Sequence, residues 1–253
     1  MRETLKHLAL RFPGALRLDF LFRGWRRWLK GGADLRVARH LAHPDKLSVD
    51  VGANKGYFTF WLQKYSRHVL AFEPDPFNLF YLRGARGNVT LRPCGLSDQP
   101  GTATFRVRKL PVHKKWLRLL GLHYRLDHRG GTLAPAQPGE HYQEYPVAIL
   151  RLDDEVHEPV GFIKIDVEGH ELAVLKGARR VLAEYHPILL IEIEQRHSRR
   201  PTPEVLAEVE ALGYLAFGLH RQQLVRATRL EPSVHFRMES GGDYVNNFVF
   251  FPK

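Results

Sequence analysis

The run IKIDVEGHE, residues 163–171, sets Asp166, Glu168 and His170 at alternate positions directly after an apolar stretch. Two carboxylates and an imidazole gathered in this way can take a proton from a weak nucleophile, help that contributes roughly 10²–10⁴-fold to a reaction. His170 and Asp166 are both candidate bases. Asp166 has a second use, because a carboxylate at a strand end can also accept hydrogen bonds from an ammonium group, and that use takes precedence for it. Upstream, LSVDVGANKGYFTFWL (residues 47–62) places Asp50 two residues before Gly52, with Asn54 and Gly56 after it, and AFEPDP (71–76) contains Glu73.

These groups act together only if the fold carries them to one place. LSVDV reads as a strand, followed by a helix through Tyr65, a strand HVLAFE, a helix from Pro76 to about Gly84, and a strand VTLRPCG. Later the same rhythm resumes with GFIKIDV, a helix from about His170 to Ala183, and HPILLIEIE. Strands alternating with helices predict a mostly parallel sheet with helices on both faces. Thr202 can cap a further helix whose inner face is Leu206, Val209 and Leu212 and which Gly213 ends. YLAFGL, a run near QQLVRA, and YVNNFVFF then read as antiparallel strands. In such a sheet ligands bind beyond the carboxyl ends of the strands, where Asp50, Glu73 and Asp166 all fall. Lys164 and Asp166 share one face of their strand.

The glycine spacing narrows the ligand. It is G-x-x-x-G, not the G-x-G-x-x-G of a dinucleotide turn, and Gly56-Tyr57 does not supply the G-K-[ST] of a phosphate loop. Asp50 would repel a phosphate but attract a cationic tail. Glu73, ending the second strand, is placed to accept from a ribose diol. A nucleoside with a cationic tail is therefore expected, and S-adenosylmethionine fits that description. A hard metal is conceivable on Asp166, Glu168 and Glu192. An ion pair of Lys164 with Glu192 is the simpler use of that acid, and no metal is expected.

Composition sets the outer bounds. The chain has 253 residues, 44% of them apolar, and a single cysteine, Cys94, which excludes an internal disulfide framework and a cysteine zinc cluster. No long uncharged apolar run spans a membrane, and arginines interrupt any secretory core, so a cytoplasmic protein is expected. The formal charge of +11 is concentrated: residues 1–40 and 106–129 each carry +7. This points to an anionic partner. Residues 1–46 read as a basic helical extension, in which Leu18, Leu21, Phe22, Trp25, Trp28 and Leu29 form a stripe expected to pack against the domain. Breaks are expected near Pro13-Gly14 and Gly31-Gly32. Residues 47–253 read as the main domain, with a basic insertion at about 108–146 lying over one end of the sheet.

VDVGANKG, FEPDP, CGLSD, LRLDD, IKIDVEGHELAVLKGA, IEIE and NNFVFF, in this order over residues 47–250, resemble the FkbM family of S-adenosylmethionine-dependent O-methyltransferases. The resemblance implies a class I methyltransferase sheet of Rossmann-like form, with an antiparallel C-terminal hairpin. It implies that Asp50, Gly52, Asn54 and Gly56 hold the methionine part, Glu73 the ribose, and Ser97 or Asp98 the neighbourhood of the adenine. Cys94 and Gly95 stand where relatives tend to have Asn or Lys and Ala.

The expected activity is methyl transfer to a hydroxyl of a sugar or glycan intermediate, anionic or lipid-linked, as in polysaccharide biosynthesis. Residues 1–40 would offer a peripheral contact with a membrane. The alternatives are a nucleic-acid methyltransferase, disfavoured because no N/D-P-P-[YF]-like run follows the fourth strand, and a non-catalytic cofactor-binding module docked on an anionic surface.

Overall fold

A computed structural model describes residues 14–29, 32–113, 124–136 and 139–253. The first thirteen residues, Lys30, Gly31 and the Lys114, Lys115, Trp116 and Arg118 of the basic insertion lie outside the described residues, as do the side chains of Trp28 and Arg129.

Helices α1 (Ala15–Leu29) and α2 (Ala33–Leu41) precede β1 (Leu47–Val51). Then come α3 (Tyr57–Tyr65), β2 (His68–Phe72), α4 (Pro76–Leu82) and β3 (Val89–Arg92). After β4 (Gly95–Leu96) the chain makes three long strands, β5 (Gly101–Pro111), β6 (Tyr124–Thr132) and β7 (Tyr142–Leu150). It returns through α5 (Leu152–Glu155) to β8 (Val160–Ile165), α6 (Glu171–Lys176), α7 (Arg179–Tyr185), β9 (Ile188–Glu192), α8 (Gln195–Ser198) and α9 (Thr202–Ala211). β10 (Tyr214–His220), β11 (Gln223–Arg226) and β12 (Asn247–Pro252) close it.

The main sheet has the order β11-β10-β12-β9-β8-β1-β2-β3. β9, β8, β1, β2 and β3 are parallel, and β12, β10 and β11 add antiparallel pairs. Strands buried on both faces need apolar runs, and alternate residues go to opposite sides. Val49, Leu70, Ile163 and Leu189 meet Val174, Val181 and Val205 of α6, α7 and α9. Val69, Phe162 and Leu190 meet Ala38 and Leu62 of α2 and α3.

Two expected helices differ in detail. The helix expected from His170 to Ala183 is two helices, because Gly177 passes against Ser97: a Cβ there would lie 2.0 Å from the Ser97 carbonyl oxygen. The helix expected to be capped by Thr202 instead begins with that residue, after Pro201.

The segment read as a basic insertion is a sheet of its own, β4-β7-β5-β6, and it is wider than residues 108–146. Phe105, Val107, Val147 and Ile149 form its apolar side. It is joined to the main sheet through Asp75, the N-cap of α4. That carboxylate accepts from Phe77 N at 2.9 Å and Tyr145 OH at 3.0 Å, and lies 2.6 Å from His128 Nδ1. Asn78 Nδ2 donates to the His128 carbonyl, and the His128 ring stacks on Phe77 at 3.9 Å.

The stripe on α1 packs only in part, through Leu21 and one side of the Trp25 ring. The face of α1 that meets the domain carries Phe20 and Gly24, where a Cβ would lie 2.2 Å from the Phe60 ring. Arg17 donates to the Gly84 carbonyl, and Arg23 to those of Lys55 and Tyr81. Close approach at a glycine and inward arginine bonds choose this face, so Leu18, Phe22 and Leu29 point to solvent, while Trp25, half exposed, sets its ring edge-on against Phe60 at 6.2 Å and Trp61 at 5.3 Å. Among the described residues no helix is long and apolar enough to cross a membrane.

Candidate active site and its neighbouring cavities

β1, β2 and β8 end side by side, so the turns after them share one cavity. Its wall is Gly52 and Asn54 after β1, Phe72, Glu73 and Pro74 at the end of β2, Cys94 to Leu96, and Asp166 to Glu168 after β8. The second sheet roofs it with Phe105, His128 and Gly131 to Leu133, and Asn78 of α4 reaches it from the side.

Glu73 is buried in that wall and its two oxygens accept from Asn54 N at 2.6 Å and Asp75 N at 2.8 Å. Burial pushes its pKa up to about 7, although the two amides and Lys164 favour its charged form. Asn78 is 2% exposed, and its Oδ1 has no hydrogen-bond partner. A buried acceptor of this kind costs free energy unless something donates to it.

Asp166 lies on the border with a second cavity of about 330 Å³, lined also by Gly52, Asn54, Lys55, Arg27, Lys164 and Glu192. Glu168 and Thr132 lie on the border with a third, of about 390 Å³, lined by Arg108, Asp127, Glu140, Tyr142, Arg196 and His197. Glu168 has φ 56, a left-handed conformation that costs a side-chain-bearing residue on the order of 1–3 kcal/mol. Thr132 Oγ1 holds this turn by donating to the Glu168 carbonyl at 2.8 Å.

His197 Nε2 lies 2.8 Å from Glu168 and 3.2 Å from Glu194, too oblique to either for a hydrogen bond, so the contact is a close ion pair. Burial works against the imidazolium, but the two carboxylates outweigh it and push the pKa up to about 9. A raised histidine pKa stabilises the fold fully below its ordinary value of 6.5, and this is lost as pH rises through about 9. The difference in thermal unfolding midpoint between the wild type and His197→Gln is therefore expected to shrink from pH 6.5 to 9.

Of the other expected residues, Lys164 and Glu192 line the second cavity and the rest lie outside all three. Asp50 is fully buried under the glycine turn, accepting from Thr59 Oγ1 at 2.6 Å, with Lys164 Nζ 3.5 Å from its other oxygen. Lys164 pairs with Asp50 and with Asp166 at 3.4 Å instead of with Glu192. Burial opposes its charge, but Asp166, Asp50 and Glu192 outweigh it and raise its pKa. Glu192 accepts from Asn246 Nδ2 at 2.6 Å, and burial among Asp166, Glu194 and Glu168 pushes its pKa upward. His170 Nε2 meets Ser97 Oγ at 2.9 Å, and Ser97 donates to Asp98. Burial lowers the His170 pKa. Asp50, Gly56, Ser97, Asp98 and His170 line none of these three cavities. The structure thus brings Asp166 and Glu168 together and takes His170 away. Cys94 and Gly95 form cavity wall.

The glycines answer to packing. At Gly52, with φ 73, a Cβ would lie 1.9 Å from the Asp166 carbonyl oxygen, and at Gly56, with φ 85, it would meet Leu82 and Phe20 at 2.7 Å. Asn78, His128, Thr132 and His197 are the site residues that sequence reasoning missed. Asn78 alone left a signal, a polar residue five positions after Glu73 on the following helix. Among the described residues, no three His, Cys, Asp or Glu side chains gather closely enough to hold a metal ion.

A family model described as the methyltransferase FkbM domain matches residues 50–216. The hexuronic acid methyltransferase AglP of Haloferax volcanii is 28% identical over 192 residues, 74% of this chain and 72% of that protein. The methyltransferase sdnD of Sordaria araneosa is 28% identical over 194 residues, 63% of this chain and 71% of that one. The crystal structure of a methyltransferase FkbM from Methylobacillus flagellatus is similar with a TM-score of 0.50 at 18% identity. The match covers 83% of this chain and 44% of that longer one.

Proposed function

Because this chain belongs to the FkbM family of methyltransferases, we propose that it moves a methyl group from S-adenosylmethionine to a hydroxyl of a sugar or glycan intermediate, free or lipid-linked. One observation carries the reading: Glu168 and Thr132 line both the cavity that contains Glu73 and the neighbouring one of about 390 Å³. A group held in the first cavity can therefore meet an acceptor held in the second. The first offers a nucleoside polar partners, since the orphaned Asn78 Oδ1 and the remaining lone pairs of Glu73 can accept from ribose hydroxyls or an exocyclic amine, and at about 40 Å³ it must widen to take one. The cavity bordering Asp166 suits an amino-acid tail, with Asp166 for its ammonium and Lys55 and Arg27 near its carboxylate. Asp50 would act from below, by holding Lys164 in place under this turn.

Bound there, S-adenosylmethionine supplies a methyl group already electrophilic at its sulfonium. The chain's own work is to align the acceptor, exclude water and remove a proton. Thr132 and the left-handed turn aim the Glu168 carboxylate at the border between the cavities, where it takes the acceptor hydroxyl's proton as the oxygen attacks. His197 holds the other side of that carboxylate. The acceptor cavity's cations are engaged: Arg108 with Glu140 and Asp127, and Arg196 with Glu194. An anionic sugar must compete with those acids, whereas hydroxyls can join them as donors and acceptors. The relative named for a hexuronic acid supports a sugar acceptor.

The test is methyl transfer from labelled cofactor to a panel of neutral sugars, uronic acids and lipid-linked glycans. Release of S-adenosylhomocysteine with none of these, but with a nucleic acid, would overturn the acceptor reading. Cofactor affinity carries its own pH signature. Donors favour charged Glu73, so S-adenosylhomocysteine affinity by calorimetry is expected to fall as pH drops through about 7. Below that point the fall approaches about tenfold per pH unit, and Glu73→Gln is expected to bind more weakly and to lose the dependence.

A further inference from the structure

Among the described residues, helix α1 is fixed to the domain on one side and exposes apolar side chains on the other. Leu18, Phe22, Trp25 and Leu29 are 70%, 65%, 49% and 79% exposed, and their spacing of four, three and four residues sets them in one line along the helix. Four large apolar side chains in a row form a patch that water disfavours. The charges beside it are of one sign. Arg26 is exposed beside the line, and Lys64 Nζ sits 4.4 Å from the Trp25 ring. The one acid of α1, Asp19, is turned inward onto Arg23, both side chains being 10% exposed.

We propose that this ridge seats the protein on an anionic phospholipid surface, with Leu18, Phe22, Leu29 and the open side of Trp25 entering the headgroup boundary and Arg26 and Lys64 meeting lipid phosphates. An apolar line with a cationic rim is the form of a helix that lies in the membrane interface. Lipid phosphate complements the rim, whereas a second copy of this chain would set cation against cation across a two-fold contact. Arg27, on the opposite side of the same helix, lines the cavity that Asp166 borders, so one helix, about 10–12 Å across, separates ridge from crevice. Docking therefore holds that crevice close to the bilayer. A lipid-linked acceptor follows only if the transfer reading is also right, while the docking itself does not depend on it.

The experiment is sedimentation of the full chain with vesicles of phosphatidylcholine alone and of phosphatidylcholine with about one quarter phosphatidylglycerol. The wild type is expected to partition onto the anionic vesicles at least about tenfold more strongly than onto the neutral ones, and to come off as salt rises. The double variant Leu18→Ser/Phe22→Ser, and separately Arg26→Glu, are expected to lower that partition by about tenfold or more. Their unfolding midpoints and S-adenosylhomocysteine affinities without vesicles should match the wild type, which separates failed docking from a failed fold or a failed cofactor site. Wild-type protein left in the supernatant, or variants that bind the anionic vesicles as the wild type does, would overturn the proposal. So would a wild-type dimer that Leu18→Ser/Phe22→Ser dissociates, since the ridge would then be covered by a second copy.

Discussion

Glu168→Gln is expected to lower kcat for methyl transfer by about 10²–10⁴-fold and to leave S-adenosylhomocysteine affinity within about threefold of the wild type. The substitution keeps the size of the side chain and the bond from Thr132 to the main chain, and removes the ability to take a proton together with the ion pair to His197. A loss in kcat with cofactor affinity intact is the mark of an interaction made in the transition state. His170→Ala is expected to cost far less, because its ring is occupied with Ser97 outside the cavities. Single-turnover kinetics with a competent acceptor would check both. Equal losses at the two positions would return His170 to the reaction and remove Glu168 from its assigned role.

Lys164→Met is expected to destabilise the fold by about 3–5 kcal/mol. Asp50 is fully buried, and Lys164 is the cation beside it. Without that cation the carboxylate keeps only its bond from Thr59, and Asp166 loses a partner as well. A charge stranded in this way costs more than the pair was worth. For the same reason Asp50→Asn/Lys164→Met is expected to recover much of the loss, a non-additivity that urea unfolding of the two single variants and the double variant would measure. A Lys164→Met protein as stable as the wild type would mean that water reaches Asp50.

The parallel half of the molecule is legible in the sequence for a physical reason. Strands such as LSVDV and HPILLIE are buried on both faces, and continuous apolar runs between helices have few other uses. Their carboxyl ends locate Glu73, Asp166 and Glu168 with them. The roof is harder to read. Ala103, Phe105 and Val107 do alternate with Thr104, Arg106 and Arg108, which is a half-buried strand pattern. The basic residues and the Pro and Gly of the neighbouring loops draw attention to charge instead. His128 and Thr132 enter the site from that sheet, across a distance in sequence that no local pattern reports. Asp50 misleads in another way. An acid before a glycine turn reads as a ligand to something outside the protein, yet its counter-charge comes from within, from a lysine 114 positions later. The α1 stripe misleads because helical spacing gives the line of apolar residues but not the side that packs. That choice falls to Gly24 and to two inward arginines.

The clip at Asp75 bears on inheritance and engineering. One carboxylate caps α4, meets His128 of the roof and accepts from Tyr145, two positions after the Glu73 that lines the cavity beneath that roof. On the proposed reading, the acceptor side and the cofactor side of the site are thus joined through this one carboxylate. A roof borrowed from a relative to change the acceptor will seat only if it brings its own counterparts of His128 and Tyr145, so the transferable module is the four-stranded sheet together with its latch.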